Sequence, residues 1–262
     1  MALHHRTVSR ADGRSGSGSA ADRLVLLHGF TQNVDGWGPF ADRLANHADL
    51  VLVDAPGHGR SGHDDADLET AADLSVEAGG RGVYVGYSMG GRVALHAALS
   101  HPAAVSGLVL IGATAGLDDP ADRADRMAAD EALATRLEAE GLPAFLDRWL
   151  NLPLFAGLDE QAAATPARLR NRADGLAASL RRCGTGTQAP LWDRLAGIEI
   201  PVLVIAGADD HKFTALGHRL VASCRAAPAR LVTIPGTHAV HLEAPEATAA
   251  AVVDHLRAIG DR

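Results

Sequence analysis

Ser88 stands in Gly86-Tyr87-Ser88-Met89-Gly90, between the apolar run Val83 to Val85 and a stretch of helical character starting near Gly90. A serine presented on a sharp turn between strand and helix is the usual setting of a nucleophile, and flanking glycines are needed because side chains there would strike neighbouring backbone. A serine hydroxyl at neutral pH is a weak nucleophile and a weak base. It needs an imidazole to take its proton and a carboxylate to orient that imidazole. Two carboxylates, Asp209 and Asp210, follow the apolar run Val202 to Ile205; two histidines, His238 and His241, follow Leu231 to Ile234. If these runs are parallel strands, all the candidates emerge with Ser88 at one carboxyl-terminal sheet edge.

The elements that must place them are legible as short apolar runs bounded by turn residues: Leu24 to Leu27, Leu50 to Val53, Val83 to Val85, Leu108 to Ile111, Val202 to Ile205 and Leu231 to Ile234. Runs of this kind are strands buried on both faces. Helical stretches such as Gly90 to Ser100 and Thr214 to Ala226 lie between them, which implies an α/β fold with a mostly parallel sheet flanked by helices. Between Asp67 and Tyr84 a single short helix is expected, cut off by Gly79, Gly80 and Gly82. From about Pro120 to Leu195 the pattern is helical throughout (Leu133 and Leu137, Phe145 and Trp149, Leu176 and Leu180), so a helical cap is expected at about 114–196. Residues 1–23 are expected to form a flexible arm, loosest over the Gly- and Ser-rich stretch Ser9 to Asp22, and 24–262 a single domain.

Composition bounds the function. The chain has 262 residues, 47% of them hydrophobic, enough for one sizeable core. No run approaches the roughly 18 apolar residues of a membrane span, and the start lacks the apolar stretch of a secretory signal, so a cytoplasmic protein is expected. A net charge of −8 with interleaved signs speaks against nucleic-acid and membrane partners. The two cysteines, Cys183 and Cys224, suit neither a disulfide scaffold nor a zinc site. His4, His5 and His255 read as exposed residues without a role.

The elbow resembles that of the α/β-hydrolase fold, in which nucleophile, acid and histidine follow in that order. Gly207 to Asp210 has the fold's G-x-x-D spacing, and His238, Glu243 and Pro245 match its H-x(4)-E-x-P tail. The resemblance thus selects Asp210 and His238, with Asp209 as the fallback acid. Leu27-His28-Gly29-Phe30 matches the loop that supplies an oxyanion-binding amide, so the amides of Phe30 and Met89 are the implied donors and His28 a structural residue. Asp54 to Ser61 matches a structural D-x-P-G-x-G-x-S turn.

Within that fold the chain resembles 2-succinyl-6-hydroxy-2,4-cyclohexadiene-1-carboxylate synthases of menaquinone biosynthesis. The resemblance rests on Gly86 to Leu95, on Phe145 to Trp149 with Leu152 to Phe155, on Gly184 to Gln188 with Leu191 and Trp192, and on Asp210 to Phe213. It runs from about Leu24 to Ile259 and includes the cap. It implies a cofactor-independent lyase that expels pyruvate, with Tyr87, Arg92, Arg126, Trp149, Phe155 and Arg168 contacting a small anionic substrate. Guanidinium groups pair with carboxylates in a planar, two-pronged way, so three arginines would suit a substrate with three carboxylates. Arg123, Arg170 and Arg172 lie close to two of these positions, and a solvated helix face is the competing reading there. Thr237 replaces the glycine usual before the histidine. The alternatives are a hydrolase of carboxylic esters or C–C bonds and a ligand-binding protein without turnover; an intact Ser88, Asp210 and His238 disfavours the latter.

Overall fold

A computed structural model describes residues 2–11, 22–63 and 65–260. Seven strands form one sheet in the order β1-β3-β2-β4-β5-β6-β7. They are β1 (His5–Val8), β2 (Arg23–Leu27), β3 (Asp49–Val53), β4 (Gly82–Tyr87), β5 (Val105–Ile111), β6 (Val202–Gly207) and β7 (Ala229–Ile234). β2 to β7 pair in parallel and β1 joins β3 antiparallel. The six apolar runs are these six parallel strands. Their alternation feeds two cores: Val25 and Leu27 face one, Leu24 and Leu26 the other, and the same split holds for Val51 and Val53 against Leu50 and Leu52.

Helices α1 (Gly38–Leu44), α2 (Leu68–Gly79) and α3 (Met89–Ser100) follow the early strands. After β5 come α4 (Pro120–Glu140), α5 (Leu142–Leu150), α6 (Glu160–Ala163), α7 (Thr165–Arg168) and α8 (Ala173–Cys183), then a 3-10 turn, Trp192–Gly197, before β6. α9 (His211–Ser223), α10 (Val240–Glu243) and α11 (Pro245–Gly260) complete the chain. α2, α3 and α9 bury apolar faces against one side of the sheet, and α1, α10 and α11 against the other. The helices between β5 and β6 have a small core of their own, in which Ala134 and Leu137 of α4 meet Phe145 and Leu146 of α5 and Leu176 and Leu180 of α8. Burying each large apolar side chain contributes about 1.5 to 3 kcal/mol, so this cluster gives the cap its own cohesion. α4 is started by the Asp119 carboxylate, which accepts from the Ala121 amide, and by Pro120 at its first position. No helix among the described residues is long and apolar enough to cross a membrane.

Three expectations need correction. Part of the expected flexible arm is strand β1, which pairs with β3 from His5 to Val8, while Leu3 is buried. Its side chains are exposed from His5 to Thr7 and half-buried at Val8, with no apolar run. What holds it is the backbone ladder, together with bonds from the His4 amide to Ser61 Oγ at 2.9 Å and between His4 Nδ1 and Asp54 Oδ2 at 2.7 Å. Residues 12–21 of that arm lie outside the described residues. The crossover helix α2 is not short: it runs 12 residues, and only Gly80, with φ of 67°, ends it. His255 is buried, because it lies three residues after Val252 on the core face of α11, and His4 is half-buried against Asp54.

Candidate active site

Ser88 adopts φ 51° and ψ −108° between β4 and α3, a positive φ that a residue bearing a side chain adopts only under constraint. The constraint is close packing: a methyl on Gly90 would overlap the backbone of Leu27 and one on Gly86 the backbone of Gly90. Ser88 Oγ lies 3.1 Å from His238 Nε2, and His238 Nδ1 lies 2.8 Å from Asp210 Oδ2. A carboxylate only accepts, so Nδ1 carries the imidazole hydrogen and Nε2 presents its lone pair to the Ser88 hydroxyl.

Each partner is held by its own loop. Asp210 caps α9: its Oδ1 accepts from the Phe213 amide at 3.2 Å, leaving Oδ2 for His238. The loop after β6 is zipped to the loop after β7 by the Ala208 amide on Ile234 O (2.8 Å) and the Asp209 amide on Gly236 O (3.0 Å). Asp209 itself is exposed and Asp210 buried. The His238 ring packs against Phe213, with centroids 4.4 Å apart, and over Gly112, where a methyl would come within 2.9 Å of the imidazole. Gly112 is therefore part of the site, although nothing in its sequence neighbourhood marks it.

The geometry also narrows the anion-binding donors. The Ser88 amide is engaged with Ile111 O at 2.8 Å. Met89 opens α3, so its amide belongs to the first turn and has no acceptor within the helix. Phe30 lies across the cleft on a loop fixed by His28. The Ala55 amide donates to His28 Nε2 at 3.0 Å, which leaves Nδ1–H to donate to Gly29 O at 2.8 Å. Burial holds His28 below its ordinary pKa, in keeping with this neutral form.

Above Ser88 opens a cleft of about 920 Å³, including the part continuous with solvent. Phe30, Tyr87, Met89, Arg92, Arg126, Trp149 and Phe155 line it together with Ser88 and His238. Cap and sheet thus each supply one wall. Phe30 meets Trp149 edge-on at 5.3 Å, and Trp149 meets Phe155 at 5.7 Å, which makes an aromatic side. The opposite character comes from Arg92 and Arg126. Arg126 Nε donates to Asp130 Oδ1 at 2.9 Å, and burial pushes the Asp130 carboxyl above its usual range even with two guanidinium groups nearby. Arg92 is buried, its guanidinium lowered to about 10 by desolvation, and its Nη1 has no acceptor among the described residues.

Arg168 stands elsewhere. It is 2% exposed, is absent from the cleft lining, and donates through Nε to Ala163 O at 2.7 Å and through Nη1 to Thr31 Oγ1. With Asn171, whose Nδ2 donates to Thr31 O at 2.7 Å, it straps the cap to the Phe30 loop. Spacing alone could not separate it from Arg170, which pairs with Asp35 at the surface. Conversely, Thr114 and Ser179 line the cleft and carry no sequence signal, and Lys212 and Thr185, which also line it, fall in stretches that carry the resemblance without an implied site role. For Lys212 the signal was available, since it lies two residues past Asp210. Among the described residues no group of three or more His, Cys, Asp or Glu side chains is placed to hold a metal ion.

His241 is fully buried among Trp37, Phe40 and Tyr87, the last with centroids 4.2 Å apart, and neither ring nitrogen has a partner among the described residues. Desolvation first, then repulsion from Arg168 and His238, lowers its pKa to about 3. The unfolded chain binds a proton there near pH 6.5 and the fold does not, so this residue's contribution is intact above about 6.5 and is lost as pH falls toward 3. The loss amounts to about 1.4 kcal/mol per pH unit. His241→Phe should therefore gain stability relative to wild type by about that slope between pH 6 and 4.5 in urea unfolding. Parallel pH dependences for the two proteins would show that His241 is not buried neutral.

The comparisons with known proteins agree with this geometry. The profile of the alpha/beta hydrolase family matches residues 24–251. The chain is 36% identical over 247 residues to the 2-succinyl-6-hydroxy-2,4-cyclohexadiene-1-carboxylate synthase of Serratia proteamaculans (strain 568), covering 90% of this chain and 94% of that protein. It is 33% identical over 245 residues to the synthase of the same name from Escherichia coli O1:K1 / APEC, covering 89% and 93%. Among solved structures it is similar to MenH from S. aureus, with a TM-score of 0.85, 26% identity, and coverage of 98% of this chain and 99% of that one. With a seven-stranded, mostly parallel sheet, a serine elbow, and relatives of that name matched over nine-tenths of its length, the chain is an enzyme of the alpha/beta hydrolase family, in the group of the 2-succinyl-6-hydroxy-2,4-cyclohexadiene-1-carboxylate synthases.

Proposed function

We propose that the protein is a cofactor-independent lyase that eliminates pyruvate from 2-succinyl-5-enolpyruvyl-6-hydroxy-3-cyclohexene-1-carboxylate, giving 2-succinyl-6-hydroxy-2,4-cyclohexadiene-1-carboxylate, as a cytoplasmic step of menaquinone biosynthesis. The observation that carries this reading is the buried Arg92 guanidinium with an unused Nη1, on a cleft wall shared with Arg126 and Lys212 and ending at Ser88. A buried donor without an acceptor is costly, and a substrate carboxylate supplies what is missing. The aromatic wall of Trp149 and Phe155 suits the carbocyclic ring.

In this reading His238, oriented by Asp210, takes the Ser88 proton as Ser88 removes a ring proton. The ring C–H electrons form one new double bond, the existing ring double bond shifts toward the carbon that bears the enolpyruvyl group as its C–O bond breaks, and the departing oxygen receives a proton from the imidazolium. The enol released tautomerises to pyruvate. Water is neither consumed nor produced. Proton transfer by positioned groups contributes about 100- to 10,000-fold, and the Phe30 and Met89 amides would stabilise the enolate-like charge.

The deciding experiment gives the purified protein the enolpyruvyl precursor, following its absorbance and the pyruvate released, with a panel of aryl esters alongside. Rapid pyruvate release with esters barely touched is the expected result. Pyruvate release no faster than in buffer, together with ester cleavage, would overturn the lyase and leave a hydrolase acting through an acyl-Ser88 intermediate.

A further inference from the structure

Thr237 occupies the position immediately before His238, and its contacts reach in two directions. Its amide donates to Glu243 Oε2 at 2.7 Å and its hydroxyl to Glu243 Oε1 at 2.5 Å, so one carboxylate clasps the residue by backbone and side chain together. The same hydroxyl oxygen lies 3.3 Å from the carbonyl of Leu154, 83 residues away in the cap. Glu243 in turn lies directly beneath the cap segment, because a methyl on Gly157 would overlap its carboxylate. Leu154 and Phe155, between these two points of contact, line the cleft.

We propose that Thr237 is a positioning residue that, clasped by Glu243, locks the loop bearing His238 in register with the cap segment 154–157. A glycine at this position would keep the amide bond to Glu243 and lose both the hydroxyl bond and the cap contact. The side chain thus converts a local loop bond into a tie between the imidazole and the aromatic wall. A hydroxyl has one hydrogen, and the carboxylate at 2.5 Å takes the larger share of it, with the Leu154 carbonyl a weaker second acceptor. The proposal rests on His238 serving as the base for Ser88, and not on which substrate the cleft takes.

The test uses the intact protein and a reagent independent of the native substrate. Phenylmethanesulfonyl fluoride forms an O–S bond to Ser88 with loss of fluoride, the serine proton passing to His238, and its rate reports how well the pair is aligned. Thr237→Val keeps the branched shape and removes only the hydroxyl; it should slow sulfonylation about tenfold, while Thr237→Ser restores the rate to within about twofold of wild type. Glu243→Gln should slow it similarly, and the double variant Thr237→Val/Glu243→Gln should be no slower than the worse single one, because the two residues act as one unit. Intrinsic tryptophan fluorescence, which includes Trp149, should change with the valine and recover with the serine. Thr237→Val reacting as fast as wild type overturns the proposal, as does a Glu243→Gln effect that adds fully to it. A melting temperature lowered without any change in sulfonylation also overturns it, leaving a structural role. If sulfonylation follows the expected pattern but the enolpyruvyl precursor is not turned over, the lyase reading fails and the positioning role stands.

Discussion

Replacing Ser88 by alanine should lower the turnover number for pyruvate release by about 1,000-fold or more while changing KM only a few-fold. The reasoning is geometric. His238 Nε2 is 3.1 Å from the serine oxygen, so the imidazole acts through that oxygen, and removing it leaves a gap that only a poorly held water can bridge. Arg92, Arg126 and Lys212 still line the cleft in the variant, which is why binding should survive. Alanine meets the same positive φ as the serine does, so the elbow and the melting temperature should change little. Steady-state pyruvate assays on both proteins decide it. A variant keeping more than a tenth of wild-type turnover would mean that His238 meets the substrate directly and that Ser88 is a bystander.

The second large effect is expected at Asp210. Its two oxygens have separate duties, Oδ1 accepting from the Phe213 amide and Oδ2 from His238. Asparagine has one carbonyl oxygen and cannot discharge both. If that oxygen keeps the helix cap, the amide NH₂ faces His238 Nδ1 and forces the hydrogen onto Nε2, where it opposes the Ser88 hydroxyl instead of accepting from it. If the amide turns the other way, the cap is lost, and in either case the charge that stabilises the imidazolium is gone. Asp210→Asn should therefore cost about 1,000- to 10,000-fold in turnover, and Asp209→Asn, at an exposed position, close to nothing. Equal losses at the two positions would remove the distinction drawn between them.

The six parallel strands and the serine elbow are readable in the chain because their signals are local. The strands β2 to β6, buried along most of their length, show as apolar runs, the half-buried β7 still carries Leu231, Val232 and Ile234, and a turn packed onto the backbone of Leu27 must have glycine where Gly90 stands. β1 lacks such a signal, since His5, Arg6 and Thr7 are all exposed and its ladder is made by backbone. The cleft lining divides in the same way. Arg92 follows Ser88 by one helical turn and so starts near it, whereas Ser179 and Thr185 arrive through the folding of the cap onto the sheet, which no spacing encodes. Arg168 shows the converse: a resemblance in sequence marks the residue, and the fold spends its guanidinium on Thr31 and Ala163. His241 is the least expected. A histidine three residues past His238 turns out to be a ring in an aromatic cluster, without a hydrogen bond among the described residues.

The order of the strands has one more consequence. Ser88 follows β4, in the middle of the sheet, but His238 follows β7, which among the described residues has β6 as its one strand neighbour and is only half-buried along most of its length. An edge strand opens at a lower free energy than the sheet as a whole, and amide protons there exchange with solvent through partial rather than complete unfolding. The sheet centre that carries Ser88 and the sheet edge that carries His238 are therefore expected to differ in local stability. Amide exchange is expected to be faster over Ala229–Ile234 than over Gly82–Tyr87, and sulfonylation of Ser88 to fail at a lower urea concentration than the loss of sheet circular dichroism; coincident transitions would show that β7 opens only with the whole sheet.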